Sequence, residues 1–200
     1  TGAAAAVGLE ADVVLDGVAP MLRLPDSFDA YLEGLRSKHR HEIRRRARRL
    51  QERHPEARLV DVTPDMLPEA MDRFVDLHRS SPGEKGKFML PGMELFFRRF
   101  AEELHRDGTL RMTFLEADGE RLAGAIGFRW RDGFLLYNSA FDHAHAAVGP
   151  GMVLVAELIR TAIDEGCRRF DMLKGDLSYK YRFGARPRRV MRLRLRRPGR

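Results

Sequence analysis

The sequence predicts a layered α/β (α+β) domain with a mixed, mainly antiparallel sheet and flanking helices. Three observations carry this. First, β-prone apolar runs at 109–116, 122–130 and 134–141 are separated by Asp118-Gly119 and Asp132-Gly133, the dipeptides of tight hairpins, which predicts an antiparallel meander. Second, the loop HAHAAVGPG leads into a helix over 152–165, where Val153, Leu154, Ala156, Leu158, Ile159, Ala162 and Ile163 recur at helical spacing. Third, a strand at 169–173 follows that helix, so the chain returns to the sheet after covering one of its faces.

The remaining elements follow in order. Residues 11–24 read as an extended stretch ending at Pro25. Asp26 or Ser27 caps a helix, and Leu32, Leu35, His39, Ile43, Ala47 and Leu50 fall at three- or four-residue steps, predicting one long helix to about Arg53. Its apolar stripe is narrow and the rest of its surface strongly basic. His54-Pro55 ends it, and 58–62 is a short strand. A second helix over 64–77 has Met66, Leu67, Ala70, Met71, Phe74 and Leu77 on one side, and SSPGEKGK at 80–87 is a loop. Pro91-Gly92 opens a third helix with Leu95, Phe96, Phe100 and Leu104 on its apolar face. Gly166 stops the helix at 152–165. Beyond the strand at 169–173 come a short helix at 176–181 and a terminal strand at 190–196, where Met191, Leu193 and Leu195 alternate with Arg192, Arg194 and Arg196. Residues 1–25 are expected to be a linker or strand from a missing N-terminal part, and 26–200 one domain.

Composition narrows the function classes. With 200 residues, 44% hydrophobic and 32% charged, the chain can bury one ordinary core. No apolar run approaches the length of a membrane-spanning helix. The single cysteine, Cys167, excludes a disulfide framework and a multi-cysteine zinc site. It suits a reducing compartment, so a cytoplasmic location and a metal-free site are expected. The opening TGAAAAVG lacks the basic flank and apolar core of a signal peptide. The net charge of +7 points to an anionic partner, but it is unevenly spread. Residues 36–58 carry +7 and residues 182–200 carry +9, which leaves the rest of the chain at −9.

Two segments hold the candidate chemistry. In the loop at 142–151, Gly149-Pro150-Gly151 precedes a helix, so free backbone N–H groups and the positive helix end converge where glycine lets a phosphate approach. An ordinary strand-to-helix turn with Pro near the first helical position is the alternative. His143 and His145 lie in the same loop. In the cluster DMLKGDLSYKYRFGARPRR at 171–189, Asp171 and Asp176 could orient an amine or accept its proton. Tyr179 or Tyr181 could protonate a leaving group, and Lys174, Lys180 and Arg182 could hold phosphate or carboxylate. The arginines around RRRARR at 44–49 read as a solvated face, as a site for a phosphate, or as a nucleic-acid surface without interleaved aromatics. Cys167, with no evident base beside it, reads as structural.

The cluster resembles the pattern DFLRGDEPYKYRWGA, which closes the acetyltransferase-like domain of one GNAT subgroup. That subgroup contains the cellulose-biosynthesis-associated acetyltransferases and is related to the Fem-type peptidyltransferases. LRLPDSFDAYLEGLRSKHRHEIRRRARRLQE at 22–52 resembles the subgroup's basic entry helix, and RLAGAIGFRWRDGFLLYNSAFDHAHAAVGPGMVL at 121–154 its strand pair and cofactor loop. The resemblance spans about 22–195 and departs at Lys174, Leu177, Ser178 and Phe183, where the pattern has Arg, Glu, Pro and Trp. It implies the acyl-CoA N-acyltransferase (GNAT) fold and transfer of an acyl group, most simply acetyl from acetyl-CoA, to an amine or hydroxyl by direct attack. Matched residues are Asp171, Gly175, Asp176, Tyr179 and Lys180. Tyr179 would be the general acid ahead of Tyr181, and Asp171 or Asp176 the base or amine anchor. Ser139, Ala140, Phe141, Val148, Gly149, Gly151 and Met152 would line the acyl-CoA, and Lys174, Lys180 and Arg182 the substrate. The resemblance leaves open aminoacyl transfer from tRNA, as in Fem-type enzymes, and a non-catalytic module that binds an anionic polymer. Members of the subgroup commonly carry a second, related domain in front.

Overall fold

The computed structural model describes residues 6–198, so most of the opening alanine run and Arg200 lie outside the described residues. Its elements are β1 (Glu10–Arg23), α1 (Phe28–Gly34), α2 (Ser37–Arg53), β2 (Arg58–Asp61), α3 (Leu67–Arg79), α4 (Pro91–Arg106), β3 (Leu110–Ala117), β4 (Glu120–Trp130), β5 (Gly133–Phe141), α5 (Pro150–Asp164), β6 (Arg169–Asp171), α6 (Ser178–Arg182) and β7 (Arg186–Arg196). The seven strands form one sheet in the order β2-β3-β4-β5-β6-β1-β7. Every neighbouring pair is antiparallel except β5 and β6. The mixed sheet flanked by helices is the predicted layered arrangement.

Each face of the sheet is covered by helices. On one face, α1, α2 and α5 bury Tyr31, Leu32, Ile43, Leu50, Leu154 and Ile159 against strand residues such as Phe134, Leu136 and Phe170. On the other, α3 and α4 bury Phe74, Leu77, Phe97 and Ala101 against Phe114 and Ile126. Leu154 and Ile159 are fully enclosed, each contributing about 1.5–3 kcal/mol of hydrophobic burial. β4 must be slim beside the β3 side chain that faces it. A Cβ on Gly124 would lie 2.6 Å from the Phe114 ring.

Four expectations are corrected in detail. The single long helix is two. Ser27 caps α1, its Oγ accepting the Ala30 N–H at 3.1 Å, but Leu35 is extended (φ −79°, ψ 150°) and separates α1 from α2. Leu35 is buried there, and a Cβ on Gly184 would come within 2.7 Å of its side chain. The loop at 80–87 contains a 3₁₀ turn, Gly83–Phe88. β7 begins at Arg186, and its Met191, Leu193 and Leu195 are half exposed at the edge of the sheet. β6 stops at Asp171, and Met172 N–H donates instead to Pro20 O at 3.0 Å. The extended stretch expected at 11–24 is β1, placed inside the sheet. It pairs β6 through Met21, Leu22 and Arg23, and β7 from Glu10 to Met21.

Two features of β5 position the site. Its register with β4 shifts between Ile126 and Gly127, which inserts Tyr137 as a bulge residue and bends the strand. Its parallel pairing with β6 is brief, with Gly133, Phe134 and Leu135 opposite Arg169, Phe170 and Asp171. From Leu136 to its end, β5 has no β6 partner, which leaves a gap in the sheet.

Candidate active site

Facing that gap is the chain leaving β6. After Asp171 it turns through Leu173 (φ 52°) and Gly175 (φ 126°) into α6. A non-glycine residue in the left-handed region stores strain of about 1–3 kcal/mol, and such residues concentrate at functional turns. α6 carries Tyr179 across the gap toward the Ser139 side chain on the unpaired half of β5. Burial pushes the Tyr179 phenol above its usual range, and the nearby Ser139 hydroxyl only partly offsets this. The phenol is therefore a proton donor, not a phenolate, at neutral pH. Ala140 and Phe141 continue β5, Ala140 fully buried.

At the end of β5 the chain enters the glycine loop. Asp142 organises its start, Oδ1 accepting the Ala144 N–H at 2.9 Å and Oδ2 the Arg73 guanidinium at 3.0 Å. Desolvation opposes ionisation of Asp142, but these bonds outweigh it and hold its carboxyl below the usual range. Val148 N–H donates to His145 O and Gly149 N–H to Ala146 O, so these two donors close the turn and do not face outward. Gly149 is left-handed (φ 68°) and Pro150 occupies the first turn of α5. A Cβ on Gly151 would lie 2.8 Å from the Phe141 ring. α2 lies over this loop. Arg49 Nη1 donates to Ala147 O at 3.1 Å, and a Cβ on Gly149 would be 2.1 Å from Arg46 Nη1. The positive end of α5 and two arginines of α2 therefore meet above one glycine. Side-chain cations and the helix end, more than the loop's own N–H groups, make this corner attractive to a phosphate.

Residues 37–181, from the start of α2 to the end of α6, match the profile of the Acetyltransferase (GNAT) domain. The chain belongs to this family. Among solved structures it is similar to FemX (TM-score 0.73, 12% identity, covering 92% of this chain and 64% of that one). It is similar to L-PGS from Bacillus licheniformis (TM-score 0.63, 15% identity, 100% and 65%). A conserved protein of unknown function from Bacteroides thetaiotaomicron is also alike (TM-score 0.65, 12% identity, 92% and 61%). At these identities the likeness is one of fold, and the chain spans less than two thirds of each of these structures. No curated protein matches it in sequence.

Within this GNAT domain the charged candidates separate by role. Asp171 is buried, Oδ1 accepting the Leu173 N–H at 2.8 Å and Oδ2 the Arg188 guanidinium at 2.7 Å. These two bonds secure the strained turn. Lys180 is 4% exposed, and its ammonium turns inward to Met172 O at 2.6 Å and Leu173 O at 3.0 Å. It ties the turn together and is not placed to hold a substrate anion. Desolvation lowers its pKa, while Asp171 and Asp176 act in the opposite sense. Asp176 is exposed and accepts the Tyr181 hydroxyl at 2.5 Å, which raises the Tyr181 pKa. Lys174 pairs with Asp16 across to β1 at 2.6 Å, away from Ser139. Arg182 leans toward Glu42 of α2 at 3.4 Å.

The structure thus brings Tyr179 to Ser139 and groups Asp176 with Tyr181, but engages Asp171, Lys180 and Lys174 in structural bonds. Two contributions escape sequence reasoning at the level of single residues. Arg46 and Arg49 could have been picked from their i, i+3 spacing, since both fall on one helix face. The approach of Tyr179 to Ser139 joins positions forty residues apart and leaves no local signal. Cys167 is buried beside Arg129 (Nη1 to Sγ 2.7 Å), and burial raises its thiol pKa, consistent with a structural role. Among the described residues, no group of three or more His, Cys, Asp or Glu side chains is placed to hold a metal ion. No helix among them is long and apolar enough to cross a membrane.

Proposed function

We propose that this domain transfers an acyl group, most simply acetyl, from acyl-CoA to an amine or hydroxyl by direct attack. The observation that carries the reading is the parting of β5 from β6 after Leu135, with Tyr179 brought toward Ser139 across the gap. A thioester lying along the unpaired half of β5 would meet backbone N–H groups near 138–141 able to bond its carbonyl oxygen. Tyr179, protonated at neutral pH, is the group positioned to hand a proton to the departing sulfur. At the other end Gly149, Gly151 and the start of α5 at Met152, with Arg46 and Arg49 above them, suit the diphosphate of the CoA moiety. The free carboxylate best able to orient an acceptor amine is Asp176, exposed and linked to Tyr181. The segment at 171–185 supports membership of the cellulose-biosynthesis-associated and Fem-related subgroup, and a cytoplasmic location suits a CoA-dependent reaction.

A second reading, aminoacyl transfer from tRNA, is favoured by the exposed arginines Arg44, Arg45 and Arg48 of α2. Calorimetry with acetyl-CoA and with aminoacyl-tRNA separates the two. Saturable acetyl-CoA binding that survives 0.5 M salt supports the first. Absence of acetyl-CoA binding at millimolar concentration, with salt-sensitive RNA binding, supports the second. Affinity for a polyanion without turnover of either donor would leave a binding module.

A further inference from the structure

Where the first half of α2 faces α6, Lys38, His39, His41, Glu42, Arg45 and Arg182 line an open groove of about 540 Å³. Its charge is unbalanced. Glu42 is its single carboxylate, and that oxygen is already shared between Arg46 and Arg182, each at 3.4 Å. Among the described residues Lys38 and Arg45 have no ion pair. Arg40, next to them, is drawn off to the end of α1, its Nη1 donating to Glu33 O at 3.2 Å. α2 also starts against the usual rule. Its first turn holds no acid, its N-cap Arg36 makes no side-chain cap bond, and cations crowd the positive helix end. Lys38, His41 and Arg45 follow one another at three- and four-residue steps, so they share one face, and Arg182 closes the groove from a separate element. Arg182 lies one turn beyond Tyr179 on α6.

From this we infer that the groove is a binding site for a phosphoryl group. Lys38, Arg45 and Arg182 are three donor groups from two elements, converging on a space open enough for a tetrahedral dianion, whose oxygens outnumber those Glu42 supplies. A planar carboxylate would satisfy fewer of them. The phosphoryl group belongs to the acceptor substrate or to the 3′-phosphate of CoA, and the site exists whether or not acyl transfer follows.

The test uses the intact chain at constant ionic strength, with inorganic pyrophosphate as the probe and calorimetry as the readout. The comparison is between wild type, the double variant Lys38→Gln/Arg45→Gln, and Arg44→Gln, which removes an exposed arginine outside the groove. All three changes lie on exposed side chains, and thermal melts verify folding. The site predicts saturable pyrophosphate binding that weakens at least tenfold in the double variant and less than twofold in Arg44→Gln. Repeating the titration with CoA and dephospho-CoA identifies the source. If the double variant weakens CoA alone, the group is the 3′-phosphate. If neither nucleotide is affected while pyrophosphate is, the group belongs to the acceptor. No pyrophosphate binding to wild type at millimolar concentration, or equal losses in the double variant and Arg44→Gln, overturns the assignment in favour of diffuse positive charge.

Discussion

Replacing Gly149 by Ala probes the loop and α2 together. Two costs can be read from the structure. Gly149 sits at φ 68°, where any L-residue with a Cβ loses about 1–2 kcal/mol. The new Cβ would also stand 2.1 Å from Arg46 Nη1 and 2.9 Å from Arg46 Cδ, so that side chain must leave its position over the loop. An arginine end is flexible, so its displacement adds little to the folding cost. What it removes is a cation above the start of α5. Gly166 provides the control, being left-handed at φ 75° with nothing within 4 Å of its hypothetical Cβ. Urea denaturation should therefore give similar losses for Gly149→Ala and Gly166→Ala, about 1–2 kcal/mol each. In a domain of this size that is a fall in Tm of about 2–4 °C for every kcal/mol. Acyl-CoA affinity should separate them, falling about tenfold (roughly 1.4 kcal/mol) in Gly149→Ala and staying unchanged in Gly166→Ala. Equal affinity losses would mean that the loop acts only through stability. Full affinity in Gly149→Ala would remove both glycine and Arg46 from the account of phosphate binding.

Three other changes test separate parts of the structure. Tyr179→Phe keeps the packing and removes the hydroxyl, so kcat should drop about 100-fold or more while acyl-CoA affinity holds. In wild type, rates should show no loss between pH 7 and 9 attributable to this phenol, because burial raises its pKa. Lys180→Met leaves the Met172 and Leu173 carbonyls without their charged donor, and chemical denaturation should show a loss of about 2–3 kcal/mol. Tyr31 is buried with its hydroxyl donating to Phe183 O at 3.0 Å, and burial raises its pKa far above 10. The unfolded phenol ionises near its ordinary 10.0 while the folded one holds its proton, so this group's stabilisation is lost as pH rises past about 10. Tyr31→Phe should be less stable by about 1 kcal/mol at neutral pH, yet show a shallower alkaline decline in melting temperature.

Local patterns made most elements legible, because strand alternation, helical spacing and Asp-Gly turns act within a few residues. The meander β3-β4-β5 and helix α5 follow from those signals to within about two residues. The break at Leu35 did not, and the reason is specific. Leu35 is apolar at a spacing that continues the helical stripe, and it is buried in the observed structure too, so periodicity cannot tell a helix from a turn there. Its extended backbone is set by packing against Gly184, almost 150 residues away in sequence. The insertion of β1 between β6 and β7 is likewise a long-range pairing with no local mark. In the site, residue types pointed to the correct segment but not to each role. Asp171 reads as a base until Arg188 is found on its carboxylate, and Lys180 reads as an anion holder until its ammonium is found among carbonyls.

The same contrast separates the two arginine-rich segments, which composition alone treats as equals. β7 faces β1, which supplies acids in register. Arg196 lies opposite Glu10 and Arg194 opposite Asp12, Arg192 pairs with Asp16, and Arg188 reaches Asp171 at 2.7 Å. Arg188 and Arg192 are thus matched by carboxylates, and Lys174 adds a second cation to Asp16, holding that carboxyl below its usual range. α2 has no such partner element. Within it Glu52 takes Arg48, and Glu42 is divided between Arg46 and Arg182. Lys38 and Arg45 are left facing a groove, and Arg46 and Arg49 a glycine loop. Part of the uncompensated positive charge therefore lies along α2, which passes α6 at Glu42 and the start of α5 at Arg46. On α2 such unpaired cations cost stability through self-repulsion, which an anionic ligand would relieve.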